Sequence, residues 1–248
     1  VMLTRNIDVS VGSTVGLSAI AVGVALNNGY GLATAIAFAK DGCNVGINYH
    51  NNRAGAEETA AECRKYGVDA QIYCADIGCR EQAVGMMRDF IEHFGTVDVL
   101  INNAGGGTSM PILEMTDEAY FKDINTDLLG LFKCLREFGK VMVKQGYGRI
   151  INIASILGLV GENGVPVAGY QSAKGGVVNL TRCAATELAT TGVTVNAICP
   201  GFFPSESNGP AEMEAMDSFI RVNTPMDRPG LPSELDKVGE LEGAAVFL

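Results

Sequence analysis

Tyr170 and Lys174 stand four residues apart in the run Tyr-Gln-Ser-Ala-Lys, a spacing that puts both on one face of a helix. The flanking residues are apolar and small: Val165, Val167, Ala168 and Gly169 before the pair, Gly175, Gly176, Val177 and Val178 after it. A helix beginning near Gly169 would present two polar tips from an apolar wall. A free phenol titrates near pH ~10, too high to exchange protons usefully at neutral pH. An ammonium about 4 Å away, at an effective dielectric of about 20, favours the phenolate by about 4 kcal/mol. That brings a Tyr to pKa ~7, where general acid–base work is efficient. Two residues can share a helix face by chance, so the pair has to be weighed with its company.

That company is Ile151-Asn152-Ile153-Ala154-Ser155 upstream, Asn102-Asn103-Ala104-Gly105 further upstream, and Pro200-Gly201 downstream. With these marks in this order the chain resembles the short-chain dehydrogenase/reductase family from about Gly23 to its last residue. Within the family it is most similar to 3-oxoacyl-carrier-protein reductases and gluconate 5-dehydrogenases. The resemblance implies an NAD(P)(H)-dependent oxidoreductase. The expected reaction interconverts a secondary alcohol and a ketone of sugar, sugar-acid or 3-oxoacyl type. It also implies the roles. Ser155 steadies the substrate oxygen, Tyr170 gives or takes the proton, and Lys174 binds the nicotinamide ribose while lowering the Tyr pKa. A fourth family residue is an Asn in the pattern Asn-Leu-x-Gly-x-Phe, part of a water relay to the Lys. Here that pattern reads Asp127-Leu128-Leu129-Gly130-Leu131-Phe132. Asn125 comes two residues early, about 200° around a helix. Asp127 is expected in the relay unless a local irregularity turns Asn125 inward.

The elements that must position these residues follow from periodicity. Strands are predicted at 17–23, 43–49, 70–75, 97–101, 149–154 and 193–198. Helices are predicted at 31–40, 54–66, 80–94, 117–144 and 169–190. Alternation of this kind implies βαβ units and a three-layer, doubly wound parallel sheet of Rossmann-like α/β class. The 248 residues, 47% apolar, suit one such domain over 17–248, preceded by an arm at 1–16. The apolar run 17–26 leads straight into a glycine turn and a helix, which fits a buried first strand better than a signal-peptide core. Family members continue into a seventh strand, which looks absent after 244–248. The sixth strand is then expected as an open edge.

In such a sheet ligands lie beyond the carboxyl ends of the strands. Each suspect falls there: the Gly29 loop, His50, Asp76, Asn103, Ser155 and Pro200-Gly201 after strands one to six. After strand one the family writes Thr-Gly-x-x-x-Gly-x-Gly, where this chain has Val24-Ala25-Leu26-Asn27-Asn28-Gly29-Tyr30-Gly31. Gly23 is expected as the first glycine, a spacing similar to the enoyl-carrier-protein reductase branch. Asn28, Gly29, Tyr30 and Gly31 are expected at the pyrophosphate. Enoyl reduction is the rival activity, but that branch spaces its Tyr and Lys further apart. A non-catalytic dinucleotide-binding protein is the other rival, and an intact Ser-Tyr-Lys set argues against it. Strand two ends at Tyr49-His50-Asn51-Asn52-Arg53 with no carboxylate before Glu57. NADP(H) is therefore favoured over NAD(H). The resemblance assigns Asp76-Ile77 to the adenine, although an acidic helix cap competes for Asp76. Asn103, Ala104, Gly105, Pro200, Gly201, Phe203 and Ser205 complete the expected cofactor contacts, with a lid at about 202–224.

Composition sets the exclusions. A net charge of −10 argues against a nucleic-acid surface. No stretch is long and apolar enough to cross a bilayer. Only two His are present, and nothing suggests a metal. The seven Cys form no C-x-x-C pair and read as core residues of a cytoplasmic, reducing setting. The expected partners are a small-molecule carbonyl or alcohol and further copies of the chain. Leu128, Leu131, Leu135, Phe138 and Met142 recur at helical spacing, as do Val178, Cys183, Ala184 and Leu188. Family members pair through these helices, which implies a homodimer or homotetramer.

Overall fold

The computed structural model describes residues 19–23, 29–161, 164–203, 217, 220–230 and 242–248. The N-terminal arm, Asn28, Ser205 and most of the expected lid lie outside these residues.

The described strands are β1 (Ala19–Gly23), β2 (Asn44–Tyr49), β3 (Ala70–Cys74), β4 (Val99–Asn102), β5 (Gly148–Ile153) and β6 (Val193–Ile198). They form one parallel sheet in the order β3-β2-β1-β4-β5-β6. Between them run α1 (Gly29–Lys40), α2 (Arg53–Arg64), α3 (Arg80–Phe94), α4 (Asp117–Ile124), α5 (Leu131–Gln145) and α6 (Ala168–Glu187), with α7 (Glu242–Phe247) last. Strand order reverses between β1 and β4, which opens a crevice beyond their carboxyl ends.

Three layers follow from period-two strands buried on both faces. Leu100 and Ile150 point to one side, where they pack with Phe90 of α3 and with Phe138 and Met142 of α5. Their neighbours Ile101 and Ile151 point to the other side, with Ala35 and Phe38 of α1, Ala56 and Ala60 of α2, and Ala245 of α7. Each such Leu or Ile is at most 1% exposed and stabilises the fold by about 1.5–3 kcal/mol.

Four expectations need correction. The helix predicted over 117–144 is not continuous. A π-helical segment, Asn125–Gly130, separates α4 from α5. The first helix begins at Gly29, so Gly29, Tyr30 and Gly31 form its opening turn rather than a loop. Its first N–H groups have no partner within the helix, which is the arrangement that suits an anion. The stripe Leu131, Leu135, Phe138 and Met142 is consumed by the chain's own core, as are Val178 and Ala184. Exposed apolar side chains on the same helices include Phe121, Leu129, Phe132 and Val143. Finally, only Cys63 and Cys134 are core thiols, pushed by burial up to about 12. Cys74 and Cys183 are exposed.

Candidate active site

Lys174 is the centre of the site. It rises from the middle of α6 and is 3% exposed. Burial of an ammonium is costly unless it is paired and hydrogen-bonded, and here it is both. Nζ donates to the carbonyl of Ile153 at the end of β5 (2.9 Å) and lies 3.2 Å from Oδ1 of Asp127. It also sits 5.4 Å from the ring centroid of Tyr170, one turn back on α6. The helix spacing thus places ammonium and phenol side by side. The ammonium's field at the phenol is partly cancelled by the carboxylate behind it.

Asp127 belongs to the π-helical segment and is fully buried. Both its oxygens accept the N–H of Gly106, at 3.2 and 3.1 Å. Asn125 is exposed. The irregularity therefore presents Asp127, not Asn125, to Lys174. Burial raises the Asp127 carboxyl above the ordinary carboxylate range; Lys174 and the Gly106 N–H pull it back, and the neighbouring Asp123 adds to the rise.

Ser155 follows β5 and is 7% exposed. Its Oγ accepts the N–H of Leu157 (3.1 Å), capping a 3₁₀ turn at Ile156–Gly158. Because that oxygen is the acceptor, its own O–H is left to donate elsewhere. Two contacts seat this turn. The N–H of Ile156 donates to Pro200, and Gly158 lies against the backbone of Lys174, where an added Cβ would be 2.7 Å from the carbonyl carbon. The backbone of the Ser155 turn is thereby brought onto α6 at Lys174.

After β4 the chain runs through Asn103, Ala104 and three glycines. A Cβ on Gly105 would fall 2.3 Å from Asp127 Oδ1, and one on Gly107 2.8 Å from Tyr170 Cβ. Only a glycine strap fits between the π-helical segment and α6. Asn103 is 2% exposed, and both polar atoms of its amide lack a partner among the described residues.

The strap 104–108 opens onto a cavity of about 490 Å³ along the crevice. Its lining gathers Tyr49, His50, Asn51 and Asn52 after β2, Asp76 and Ile77 after β3, the strap 104–108, and Lys122, Asp123 and Thr126. Asp76 does not cap α3. Its Oδ1 accepts the N–H of Gly78, and the cap position is Cys79. Asn52 caps α2 through Gly55, and Arg53 pairs at the surface with Glu57. Gly23 reaches the crevice by pairing with Asn102, while Pro200, Gly201 and Phe203 follow β6. The crevice meets the requirements of an extended dinucleotide. A glycine-rich strap lines its cavity, α1 starts after β1, and the buried amide of Asn103 after β4 has no partner among the described residues.

Sequence reasoning missed three groups. Asn152 accepts from Asn102 and donates to Thr181 of α6, a buried chain that ties β4, β5 and α6 below the site. The only available signal was the pairing of Asn102 with Asn152 at two strand ends. Gly158 carried no signal beyond its identity. Asp123 had no role in the sequence reading, yet it is 2% exposed.

The short chain dehydrogenase family model matches residues 19–215. The 3-oxoacyl-(acyl-carrier-protein) reductase FabG of Staphylococcus aureus is 33% identical over 209 residues, covering 84% of each chain. Among solved structures, an actinorhodin polyketide ketoreductase variant with NADPH is similar with a TM-score of 0.79 at 29% identity, covering 94% of this chain and 90% of that one. An NAD⁺-bound xylitol dehydrogenase is similar with a TM-score of 0.73 at 30% identity, covering 84% and 78%.

Proposed function

The chain belongs to the short-chain dehydrogenase family, and from that premise we propose that it reduces a ketone to a secondary alcohol, with Tyr170 as proton donor and NADP(H) as the preferred cofactor. One observation carries the assignment. Buried Lys174 is held between Asp127 and the Ile153 carbonyl, beside the ring of Tyr170. A bound nicotinamide cofactor supplies the hydride. Ser155 donates its O–H to the substrate oxygen and holds it at the phenol. Tyr170 delivers its proton to that oxygen as negative charge develops there. Lys174 stabilises the phenolate left behind, and Asp127 keeps the ammonium oriented and passes protons in from solvent.

The groups that would hold the cofactor are the α1 N-terminus at the pyrophosphate, Asp76 and Ile77 at the adenine, Asn103 and the strap along the ribose, and Tyr170 and Lys174 at the nicotinamide end. No carboxylate stands at the end of β2, where His50 lines the cavity, which supports a 2′-phosphate there. A 3-oxoacyl thioester is the substrate class favoured by the Staphylococcus relative. The exposed Phe121, Leu129 and Phe132 support self-association through α4 and α5. No cysteine is disulfide-bonded, which supports a reducing cytoplasmic setting.

The test is a screen of NADPH and NADH oxidation against 3-oxoacyl thioesters, sugar ketones and diketones. Turnover of the thioesters with NADPH preferred is the expected result. Equal or better use of NADH would reverse the cofactor assignment, and inactivity on every ketone would remove the activity.

A further inference from the structure

Among the described residues two carboxylates are buried, Asp127 and Asp123. The first has a place in the reaction proposed above; the second has none. Asp123 lies on α4, four residues before Asp127, and grips the other end of the same glycine strap. Its oxygens accept the N–H of Thr108 at 3.2 and 3.0 Å, and Oδ1 accepts the Thr108 hydroxyl at 3.0 Å. The strap therefore has two anchors on one helical rod: Gly106 on Asp127 and Thr108 on Asp123.

Between the anchors sits Gly107. A Cβ added there would come within 2.8 Å of Tyr170 Cβ and 3.1 Å of its Cγ, so the strap lies directly on the root of the phenol. Asp123 also reaches α6 itself. A Cβ on Gly169, the residue before Tyr170, would meet Asp123 Oδ2 at 2.8 Å. Three glycines in a row have no side chain with which to order themselves, so their order must come from outside. A buried carboxylate is an apt anchor because its two oxygens accept both donors of Thr108 at once. An apolar residue in its place would leave those donors unpaired.

We propose that Asp123 is a positioning residue. By holding Thr108 it fixes the strap 105–108 against the root of Tyr170 and so sets the aim of the phenol. This rests on Tyr170 being the proton donor.

The test compares the full chain with Asp123→Leu, Asp123→Asn, Thr108→Val and Tyr170→Phe. Three quantities are read: amide hydrogen exchange over residues 105–108, NADPH affinity, and kcat for acetoacetyl-CoA reduction. Asp123→Leu is expected to exchange faster over 105–108 alone and to lose about tenfold in kcat at saturating NADPH, a larger change than any in NADPH affinity. Asp123→Asn, which keeps an oxygen for the Thr108 N–H, should recover at least fivefold of that loss. Thr108→Val should fall between the two. Unchanged exchange at the strap in Asp123→Leu would overturn the proposal. So would a loss confined to cofactor affinity, or an Asp123→Asn variant as impaired as Asp123→Leu. Should Asp123→Leu fail to fold, Thr108→Val decides by the same exchange and kcat readouts. If the unaltered chain is inactive, or Tyr170→Phe retains turnover, the proton-donor reading falls, while the exchange data still judge the anchor.

Discussion

At the residue scale the unusual feature is a carboxylate where the family's pattern has an amide. Removing one member of a buried ion pair costs about 3–5 kcal/mol, because the partner's charge is left uncompensated. Asp127→Leu is therefore expected to lose that much stability in urea unfolding, whereas Asp127→Asn keeps an oxygen for Gly106 and Lys174 and should lose far less. The carboxylate also makes stability depend on pH in a defined direction. Burial raises its folded value, so the folded chain holds this proton to higher pH than the unfolded chain does. The stability this lends is fully present below the unfolded value, near pH ~4, and is lost as pH rises through the folded value. The difference in unfolding free energy between the unaltered chain and Asp127→Asn should then grow in favour of the unaltered chain as pH falls through that window. A difference independent of pH would show that Asp127 does not titrate upward. The pairing of Tyr170 with Lys174 was legible in the sequence because it needs only a helix and a spacing of four. The choice of Asp127 over Asn125 was legible only through the family's pattern. Asp123 was not legible at all, since one Asp among Tyr120, Phe121 and Lys122 has no pattern that marks it as buried.

At the element scale the site depends on close approaches between backbones rather than on side chains. Gly158 lets the turn after Ser155 rest on α6 at Lys174. Gly158→Ala inserts a methyl 2.7 Å from that backbone, which neither element can relieve by rotating a side chain. Overpacking of this kind costs about 1–3 kcal/mol. We expect that loss in urea unfolding, with kcat reduced as Ser155 is displaced. Gly161→Ala, a few residues on, would meet nothing within 4 Å among the described residues and should change neither quantity. Such contacts are not legible in a sequence because periodicity locates an element without stating its distance from a neighbour. The π-helical segment escaped for a related reason. It shifts hydrogen bonds by one residue and leaves the apolar spacing of 117–144 nearly intact. The strands β2, β3, β5 and β6 appeared within about two residues of their expected bounds, since each is a short apolar run between turn residues.

At the scale of the whole molecule the periodicity marked apolar stripes on the long helices, but not which side chains the chain's own core consumes. The stripe through Leu131 and Phe138 faces inward, and Phe121, Leu129 and Phe132 face out. Sedimentation at micromolar concentration should give a dimer or larger, and Phe121→Asp with Phe132→Asp should yield monomer. A monomeric unaltered chain would remove the assembly. The strap lies on the root of the Tyr170 phenol, and the Lys174 ammonium sits beside its ring. The most direct measurement is hydride transfer in a single turnover by Tyr170→Phe, with NADPH binding followed in parallel. The account predicts NADPH affinity within about threefold of the unaltered chain and transfer slower by about 100-fold or more. Near-normal transfer by the Phe variant would contradict it.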